Sequence, residues 1–549
     1  MKNTLITIAA CLVAGHATAT TVLHNVRGYT PTDEGLAEFT VLVIDEDGRV
    51  AATGGDALLE SYENATIIDG MQLTVLPGLT DSHAHLFGLG DLTMTLNLTG
   101  VDSLETAIDR VADYAAARRS LPWIIGRGWN QVLWPVREFP TASDLDKVVS
   151  DRPVWLDRID GHAGWANSKA LEMAGIDADT PDPVGGKIVR DDNGRATGVL
   201  VDKAMSLVTQ HIPAPDKAYA RQAYRTATEE LLSLGITGMH DAGINLMQAE
   251  VLMSMADNDE LPIRVYAMLS SDEALIEEIG EPIRGYGNEH LDIASVKIYS
   301  DGALGSRGAA LLEPYSDDPE NTGLPFWTPD ELEQQVKFAN SRGFQAAVHA
   351  IGDRSIRMVL DAYESAQGGD PSSLRNRVEH VQIVAPTDFP RFAELGVIAS
   401  IQGVFATSDM NMAEDRVGAE RIKGSYAWRR LLDSGARIAN GSDFPVELPN
   451  PFHGLYATVT REDRDGLPEG GWLPDQVLTR EEALHSFTLG SAYAAHRENT
   501  LGSLEAGKWA DFIVIDRDYF EIPASEIDDI RVLQTWVGGK LMYSHGDEQ

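Results

Sequence analysis

Two patterns of apolar and polar residues alternate along most of the chain. Short apolar runs of strand-forming residues are followed by longer stretches in which apolar residues recur at helical spacing. Repeated strand–helix units favour a parallel sheet with crossover helices, and about eight units predict a closed (β/α)8 TIM-like barrel in the α/β class. The eight predicted strands lie at Leu73–Leu76 and at runs that begin at Gly235, Ile263, Ala294, Phe344, Arg377, Val397 and Ala436.

Both ends of the chain carry short β segments without helical partners. These segments fill residues 20–75 and residues 495–549. We therefore predict a small β-sandwich domain built from both termini and a barrel of residues 76–494. A segment of about residues 90–217 is too long for one strand–helix connection. We expect it to be an insertion after the first barrel strand that covers the barrel mouth.

Residues 1–19 have the pattern of a secretory signal peptide. Lys2 gives a positive start, Leu5–Val13 is mostly apolar, and Ala17–Ala19 fits a small-residue cleavage site. This pattern predicts a periplasmic or secreted protein, with lipoprotein anchoring at Cys11 as the alternative. Cys11 is the only cysteine, so the mature chain would have neither a disulfide nor a thiolate ligand.

The charge of the chain limits its partners. A formal net charge of −40 would repel nucleic acid phosphates, and no segment after the signal peptide is long and apolar enough for stable membrane insertion. We therefore expect a small-molecule substrate, with a homodimer left open beside a monomer. The acidic surface fits either a saline habitat or simple solubility.

Polar side chains occupy several of the predicted strands, mostly at their ends. Each alone has an ordinary explanation as a core histidine, a solvated charge, a loop residue or a helix cap. Catalytic groups of such barrels lie at the carboxyl ends of the strands, and an unpaired ammonium is costly to bury. Together they therefore predict one polar site at one rim, formed by His83, His85, Lys297, His349, His380 and Asp443.

Five motifs connect this pattern to a known family. They are PGLTDSHAHL from Pro77, GRGWNQVLWP from Gly126, RIDGHAGWANSKAL from Arg158, VKIYSDGALGSRGAAL from Val296 and LGSLEAGKWADFIVID from Leu501. The chain resembles the metal-dependent amidohydrolase superfamily over nearly its whole mature length. Within that superfamily it is similar to amidohydrolase family 3, the YtcJ-like branch that includes N-substituted formamide deformylases.

The resemblance implies a set of metal ligands. In binuclear members of the superfamily, a lysine that has reacted with CO2 bridges two divalent metal ions. Carried over by motif, the first ion would contact His83, His85 and Asp443, and the second would contact His349 and His380. Carboxylated Lys297 would lie between the two ions. Nitrogen and oxygen donors without thiolates fit zinc, with manganese or iron as alternatives, and one or two ions remain open.

The same resemblance implies hydrolysis of a non-peptide C–N bond in an amide, an N-acyl or an N-formyl group. A metal-activated hydroxide would attack, and Asp443 would act as general acid and base. His162 or Arg307 would donate a hydrogen bond to the oxyanion, although His162 is equally compatible with a structural role. His240, at the end of the second strand, is either a neighbour of the site or a core histidine.

Three alternative functions stay open at this point. The same metal centre could serve an esterase or lactonase, and a barrel without turnover could be a periplasmic metal- or ligand-binding protein. A deaminase is disfavoured, because deaminases of the superfamily commonly place a glutamate near the histidine of the fifth strand. The chain has Asp353 there instead, and a deaminase gains nothing from Lys297.

Overall fold

The computed structural model describes residues 20–32, 34–62, 64–159, 161–183, 185–366 and 373–546. The predicted signal peptide and Cys11 lie outside the described residues. The chain divides into two compact units, one of residues 87–227 and the other formed by the rest of the chain. In the described part of the chain, no helix is both long enough and apolar enough to cross a bilayer.

The described residues form 23 strands, numbered here in chain order: β1 Thr21–Thr32, β2 Gly35–Ile44, β3 Val50–Gly54, β4 Thr66–Asp69, β5 Thr74–Pro77, β6 Leu79–Ala84, β7 Leu96–Asn97, β8 Ile124–Trp129, β9 Val154–Arg158, β10 Ala163–Ala166, β11 Gly186–Arg190, β12 Ala196–Asp202, β13 Ile236–Ile244, β14 Arg264–Ser270, β15 Ile283–Gly285, β16 Leu291–Tyr299, β17 Gln345–Ala350, β18 Arg377–His380, β19 Ile398–Gln402, β20 Arg437–Gly441, β21 Phe512–Ile515, β22 Val532–Val537 and β23 Lys540–Ser544.

The same residues form 18 α-helices: α1 Leu86–Met94, α2 Leu104–Ala117, α3 Ala142–Asp146, α4 Ser168–Met173, α5 Ser206–Thr209, α6 Lys217–Ser233, α7 Leu246–Asp257, α8 Glu273–Ile279, α9 Tyr286–Glu289, α10 Pro329–Ser341, α11 Asp353–Ala366, α12 Phe389–Glu394, α13 Phe405–Ser408, α14 Ala413–Arg421, α15 Trp428–Asp433, α16 Pro451–Thr460, α17 Arg480–Ser486 and α18 Leu489–Ala494.

A sheet of eight strands combines the two ends of the chain. Its order is β23-β22-β21-β5-β1-β2-β3, with β4 beside β1. The two ends meet where β21 pairs antiparallel with β5, so that Ile513 lies opposite Leu76. Leu42, Val75 and Phe512 pack in one buried cluster of this sheet. The prediction that β segments from both termini come together is confirmed, and they form one sheet.

Eight parallel strands form a nearly closed barrel in the same unit. Their order is β6-β13-β14-β16-β17-β18-β19-β20, and the short β15 pairs antiparallel with β16. The last strand approaches the first closely, since a Cβ on Gly441 would lie 2.7 Å from the His83 backbone nitrogen. Just beyond, the Asp443 N–H donates to the His83 carbonyl at 2.7 Å. The predicted (β/α)8 barrel is confirmed.

The first barrel strand differs from the prediction. Leu73–Leu76 was assigned to the barrel, but β5 belongs to the terminal sheet and β6 is the first barrel strand. The chain changes sheets at Pro77-Gly78, where Pro77 has no N–H for a strand ladder and a Cβ on Gly78 would lie 2.1 Å from Thr237 Oγ1. The apolar run continues through this point, so the hydrophobic pattern does not reveal the change.

The unit of residues 87–227 contains a six-stranded mixed sheet of its own. Its order is β11-β12-β10-β9-β8-β7, in which β7, β8 and β9 are parallel. Trp129, Trp134 and Trp165 pack with ring centroids 6.1–6.4 Å apart. The Trp129 indole N–H donates to the Leu156 carbonyl at 2.7 Å, as buried tryptophans commonly require. The tryptophan-rich motif from Gly126 therefore builds the core of this unit.

Candidate metal centre

Three buried side chains converge at one rim of the barrel. Ligand atoms of His83, His380 and Asp443 all lie within 4.8 Å of one another. His83 and His380 lie near the carboxyl ends of β6 and β18, and Asp443 follows β20. Barrel strands run in parallel, so their carboxyl ends share one rim. The fold thus brings together residues that are about 360 positions apart in the sequence.

The other three predicted residues lie beside this cluster. Lys297 Nζ is 2.8 Å from His83 Nε2, and His85 Nε2 is 3.2 Å from Asp443 Oδ1. The His349 ring centroid lies 4.5 Å from that of His380. All six side chains therefore occupy one region, while the division of these residues between two ions remains a prediction.

Two residues of the cluster have a left-handed backbone. His380 has φ 77° and Asp443 has φ 61°, a conformation that costs non-glycine residues of order 1–3 kcal/mol. In each case the chain turns at the end of a barrel strand. These turns direct the imidazole and the carboxylate toward the His83 ring, and the surrounding barrel holds them in place.

Burial controls the charge of the site. Loss of solvent lowers the pKa of His83 and His380 well below the usual histidine value, and it lowers the pKa of His349 to about 3. The rings are therefore neutral and carry lone pairs that can bind a cation. Burial also lowers the pKa of Lys297 to about 8, so a larger share of this amine is neutral than in an exposed lysine.

Polar residues behind the rings fix their orientation. His380 Nδ1 lies 2.7 Å from Gln402 Oε1, and His83 Nδ1 lies 2.6 Å from Glu379 Oε2. The Asp301 carboxylate accepts backbone N–H groups at 2.9–3.0 Å from the loops after β16 and β17, and it lies 3.5 Å from His349 Nε2.

Sequence reasoning missed these three acceptors, Gln402, Glu379 and Asp301. The available signal was a polar residue in or next to a buried strand. An unpartnered carboxylate or amide is costly to bury at such a position. The partner itself could not be predicted, because it comes from another strand.

The donor atoms present fit a divalent cation. Nε2 of His349 and Oδ1 of Asp443 are buried and form no hydrogen bond with any described residue. Most buried polar atoms in proteins are hydrogen-bonded, so such atoms indicate a missing partner. Nitrogen and carboxylate donors without thiolates suit zinc, manganese or iron. His83, His380 and Asp443 would hold the ion, with His85, Lys297 and His349 beside it.

The two predicted oxyanion donors each contact a carboxylate. His162 belongs to the unit of residues 87–227, is largely exposed, and places Nδ1 2.8 Å from Asp202 Oδ1. Arg307 lies in the segment between β16 and α10 and forms a two-point ion pair with Asp317 at 2.8 and 3.1 Å. Their role in catalysis stays a prediction.

The profile of the amidohydrolase family matches residues 66–543. The chain belongs to the amidohydrolase family. The match extends from the terminal sheet through the insertion and the barrel, and it confirms the resemblance seen in the motifs.

Two relatives and one solved structure illustrate this similarity. The YtcJ protein of Bacillus subtilis is 32% identical over 526 residues, which cover 94% of this chain and 98% of YtcJ. The N-substituted formamide deformylase of Arthrobacter pascens is 28% identical over 531 residues, which cover 91% of this chain and 94% of that protein. The crystal structure of an uncharacterized metal-dependent hydrolase from Pyrococcus furiosus superposes with a TM-score of 0.77 at 30% identity, covering 91% of this chain and 100% of that chain.

Family membership settles the general class of this amidohydrolase. It is an enzyme, a hydrolase that acts on carbon–nitrogen bonds other than peptide bonds. The His–His–Asp cluster is the place where such an enzyme can hold a metal ion.

Proposed function

We propose that this amidohydrolase cleaves the C–N bond of a small N-acyl or N-formyl amide at the His83–His380–Asp443 centre. The observation that carries the proposal is the convergence of three buried ligand atoms within 4.8 Å at the barrel rim. The relative from Arthrobacter pascens, named for its action on N-substituted formamides, supports this class of substrate.

The side chains of the centre have distinct tasks in this proposal. A bound divalent cation supplies a Lewis acid that polarises the scissile carbonyl and lowers the pKa of water. Asp443 takes the proton of the attacking water and returns it to the leaving nitrogen, and its Oδ1 has no competing hydrogen bond with a described residue. Burial keeps the rings of His83 and His380 neutral, and their contacts with Glu379 and Gln402 orient them.

We assign Lys297 the role of a carboxylated bridge. Its neutral amine would add to CO2, forming one C–N bond and releasing one proton, which gives an anionic carbamate with two oxygen donors. The buried amine lies 2.8 Å from His83 Nε2, a contact between two nitrogens that the carbamate would replace with oxygen donors. His85 and His349 would then extend the centre to two ions, for which zinc is the first choice.

The oxyanion donor is either His162 or Arg307. Both side chains can donate hydrogen bonds, and a single preorganised donor of this kind contributes about 10²–10³-fold to kcat. His162→Ala and Arg307→Met, assayed separately, distinguish the two. Only the variant that lacks the true donor should show a lower kcat, with little change in KM.

We also propose that the protein acts outside the cytoplasm, on the basis of the signal-like residues 1–19. Cell fractionation tests this: the mature chain should begin near Thr20 and appear in a periplasmic or secreted fraction. A full-length chain in the cytoplasm would contradict the proposal.

Matched substrates test the proposed reaction. Zinc-loaded protein should hydrolyse one or more N-formyl or N-acetyl amines in a panel that includes the corresponding esters. Asp443→Asn should keep its metal and lose about 10²–10⁴-fold in kcat, because the proton shuttle is gone. Turnover of the esters alone would assign an esterase or lactonase. Tight zinc binding with no turnover of any compound would assign a binding protein.

A further inference from the structure

Behind the metal centre lies a buried set of charged groups that take no direct part in the proposed reaction. Glu379 and Arg377 share the strand β18 and are both completely buried. Residues two apart on a strand point to the same side, so both side chains face the barrel interior. Charged side chains are almost never fully buried unless they are paired. Their presence directly behind His83 requires a reason.

The contact between His83 and Glu379 fixes the state of the ring. Nδ1 of His83 lies 2.6 Å from Glu379 Oε2, and an ionised carboxylate can only accept a hydrogen bond. Nδ1 therefore carries the proton and Nε2 carries the lone pair. Nε2 lies 2.8 Å from Lys297 Nζ and 3.7 Å from Asp443 Oδ1. Its lone pair therefore faces the side where a cation would bind.

Arg377 pairs with this carboxylate and holds it in place. Its Nε lies 2.8 Å from Glu379 Oε1. One terminal nitrogen donates to the Ser82 carbonyl at 2.7 Å and to Ser400 Oγ at 2.8 Å. The guanidinium therefore contacts groups on β6, β18 and β19.

His240 completes this arrangement. The second terminal nitrogen of Arg377 lies 2.8 Å from His240 Nδ1. Arginine can only donate, so His240 accepts through Nδ1 and its ring is neutral. The histidine whose role the sequence left open therefore orients Arg377 and does not itself contact the ligand cluster.

We propose that Glu379, held by Arg377, is the positioning residue of the metal centre and sets both the tautomer and the direction of His83. The proposal rests on the proposed function only in assuming that His83 binds a divalent cation. Carboxylates that contact a ligating histidine in this way raise its basicity, and their loss typically costs 10–100-fold in metal affinity. Glu379 touches neither substrate nor ion in this role.

Zinc affinity tests the proposal without reference to turnover. Glu379→Gln keeps the size of the side chain and an acceptor oxygen but removes the charge, and zinc affinity measured by chelator competition should fall about 10–100-fold. The visible absorption of the cobalt-loaded variant should also change, because the direction of one imidazole ligand changes. The matched control is Asp511→Asn, since Asp511, next to β21, forms a buried ion pair with Arg264 at the start of β14; it should keep the wild-type affinity and spectrum.

A second variant covers the case in which Glu379→Gln does not fold. Glu379→Asp keeps the charge and the pairing with Arg377 but withdraws the carboxylate by one methylene. Zinc affinity should fall several-fold while the Tm of the zinc-free protein changes little. Wild-type affinity and cobalt spectrum in a folded Glu379→Gln or Glu379→Asp variant would overturn the proposal.

The outcomes for wild-type protein separate the two proposals. If wild type binds zinc but hydrolyses no amide, the proposed function fails and the affinity test of Glu379 still decides its role. If wild type binds no divalent metal ion, the metal centre is wrong and the role of Glu379 is overturned with it.

Discussion

Two buried arginine–carboxylate pairs in the same unit differ in how completely their surroundings satisfy them. Asp511, next to the terminal strand β21, accepts from Arg264 of the barrel strand β14 at 2.6 and 3.0 Å and from the Gly538 N–H at 2.7 Å. Trp509 stacks on that guanidinium, whose centre lies 4.6 Å from the ring centroid. Glu379 is completely buried, but it contacts His83, whose other nitrogen faces the candidate metal centre.

The neighbours of the second pair include several unsatisfied atoms. Nε2 of His349, Oδ1 of Asp443 and Nε2 of Gln402 are buried without a hydrogen bond to any described residue. Each such atom costs about 1–3 kcal/mol. The pair at Asp511 is complete within the fold and therefore stabilises structure. Around Glu379, we expect a bound cation to satisfy His349 Nε2 and Asp443 Oδ1.

The largest effect should come from Lys297→Ala. This change removes the amine that we assign to the bridge and leaves a gap beside His83. We expect the loss of at least one metal ion per chain and of activity by about 10³-fold or more, comparable to the loss of an essential catalytic group. Metal analysis by mass spectrometry and kcat on the best amide measure both effects.

Lys508→Ala is the matched control for that variant. Lys508 is a mostly buried lysine that pairs with Glu505 at 2.9 Å in the C-terminal segment. It should keep its metal content and turnover. Unchanged metal content and turnover in Lys297→Ala itself would remove the bridging role.

Loss of the Asp511–Arg264 pair should lower stability without changing metal binding. Asp511→Ala leaves Arg264 as an uncompensated buried charge, which should lower the free energy of unfolding by about 3–5 kcal/mol. Zinc affinity and kcat should stay at wild-type values at a temperature where the variant is folded. Urea denaturation followed by circular dichroism measures the first quantity. A loss of zinc affinity in the folded variant would mean that the two regions are not independent.

A smaller effect should appear in the pH dependence of folding stability, through His290. Burial, and then the nearby Arg264, lowers the pKa of His290 from its usual 6.5 to about 4. As pH falls below 6.5, the unfolded chain gains a proton that the folded ring does not take up until about pH 4. The stability contributed by the neutral ring is therefore present above pH 6.5 and is lost between pH 6.5 and 4.

His290→Gln should remove this part of the acid destabilisation. The ring is partly exposed, which reduces the effect. We expect the free energy of unfolding of the zinc-free wild type to fall by about 2 kcal/mol more than that of the variant between pH 7 and 4. Urea denaturation at several pH values measures the difference. Identical pH profiles for the two proteins would show that His290 does not titrate as described.

The sequence predicted the barrel and its polar rim because both follow from local patterns. Apolar runs revealed the strands, and polar residues in or near their ends predicted the six side chains that cluster at the rim. The change of sheets at Pro77-Gly78 was missed because it occurs inside one apolar run. Glu379, Gln402 and Asp301 were missed for a different reason: their contacts join strands or loops that are not adjacent in sequence, and only the folded chain shows them.

Anomalous X-ray diffraction at the zinc edge, from crystals saturated with zinc, tests the central claim most directly. We predict a strong peak within 2.0–2.2 Å of a nitrogen of His83, a nitrogen of His380 and an oxygen of Asp443, the usual zinc distances for these donors. A map with no peak at this rim, or with its main peak elsewhere in the protein, would contradict the account.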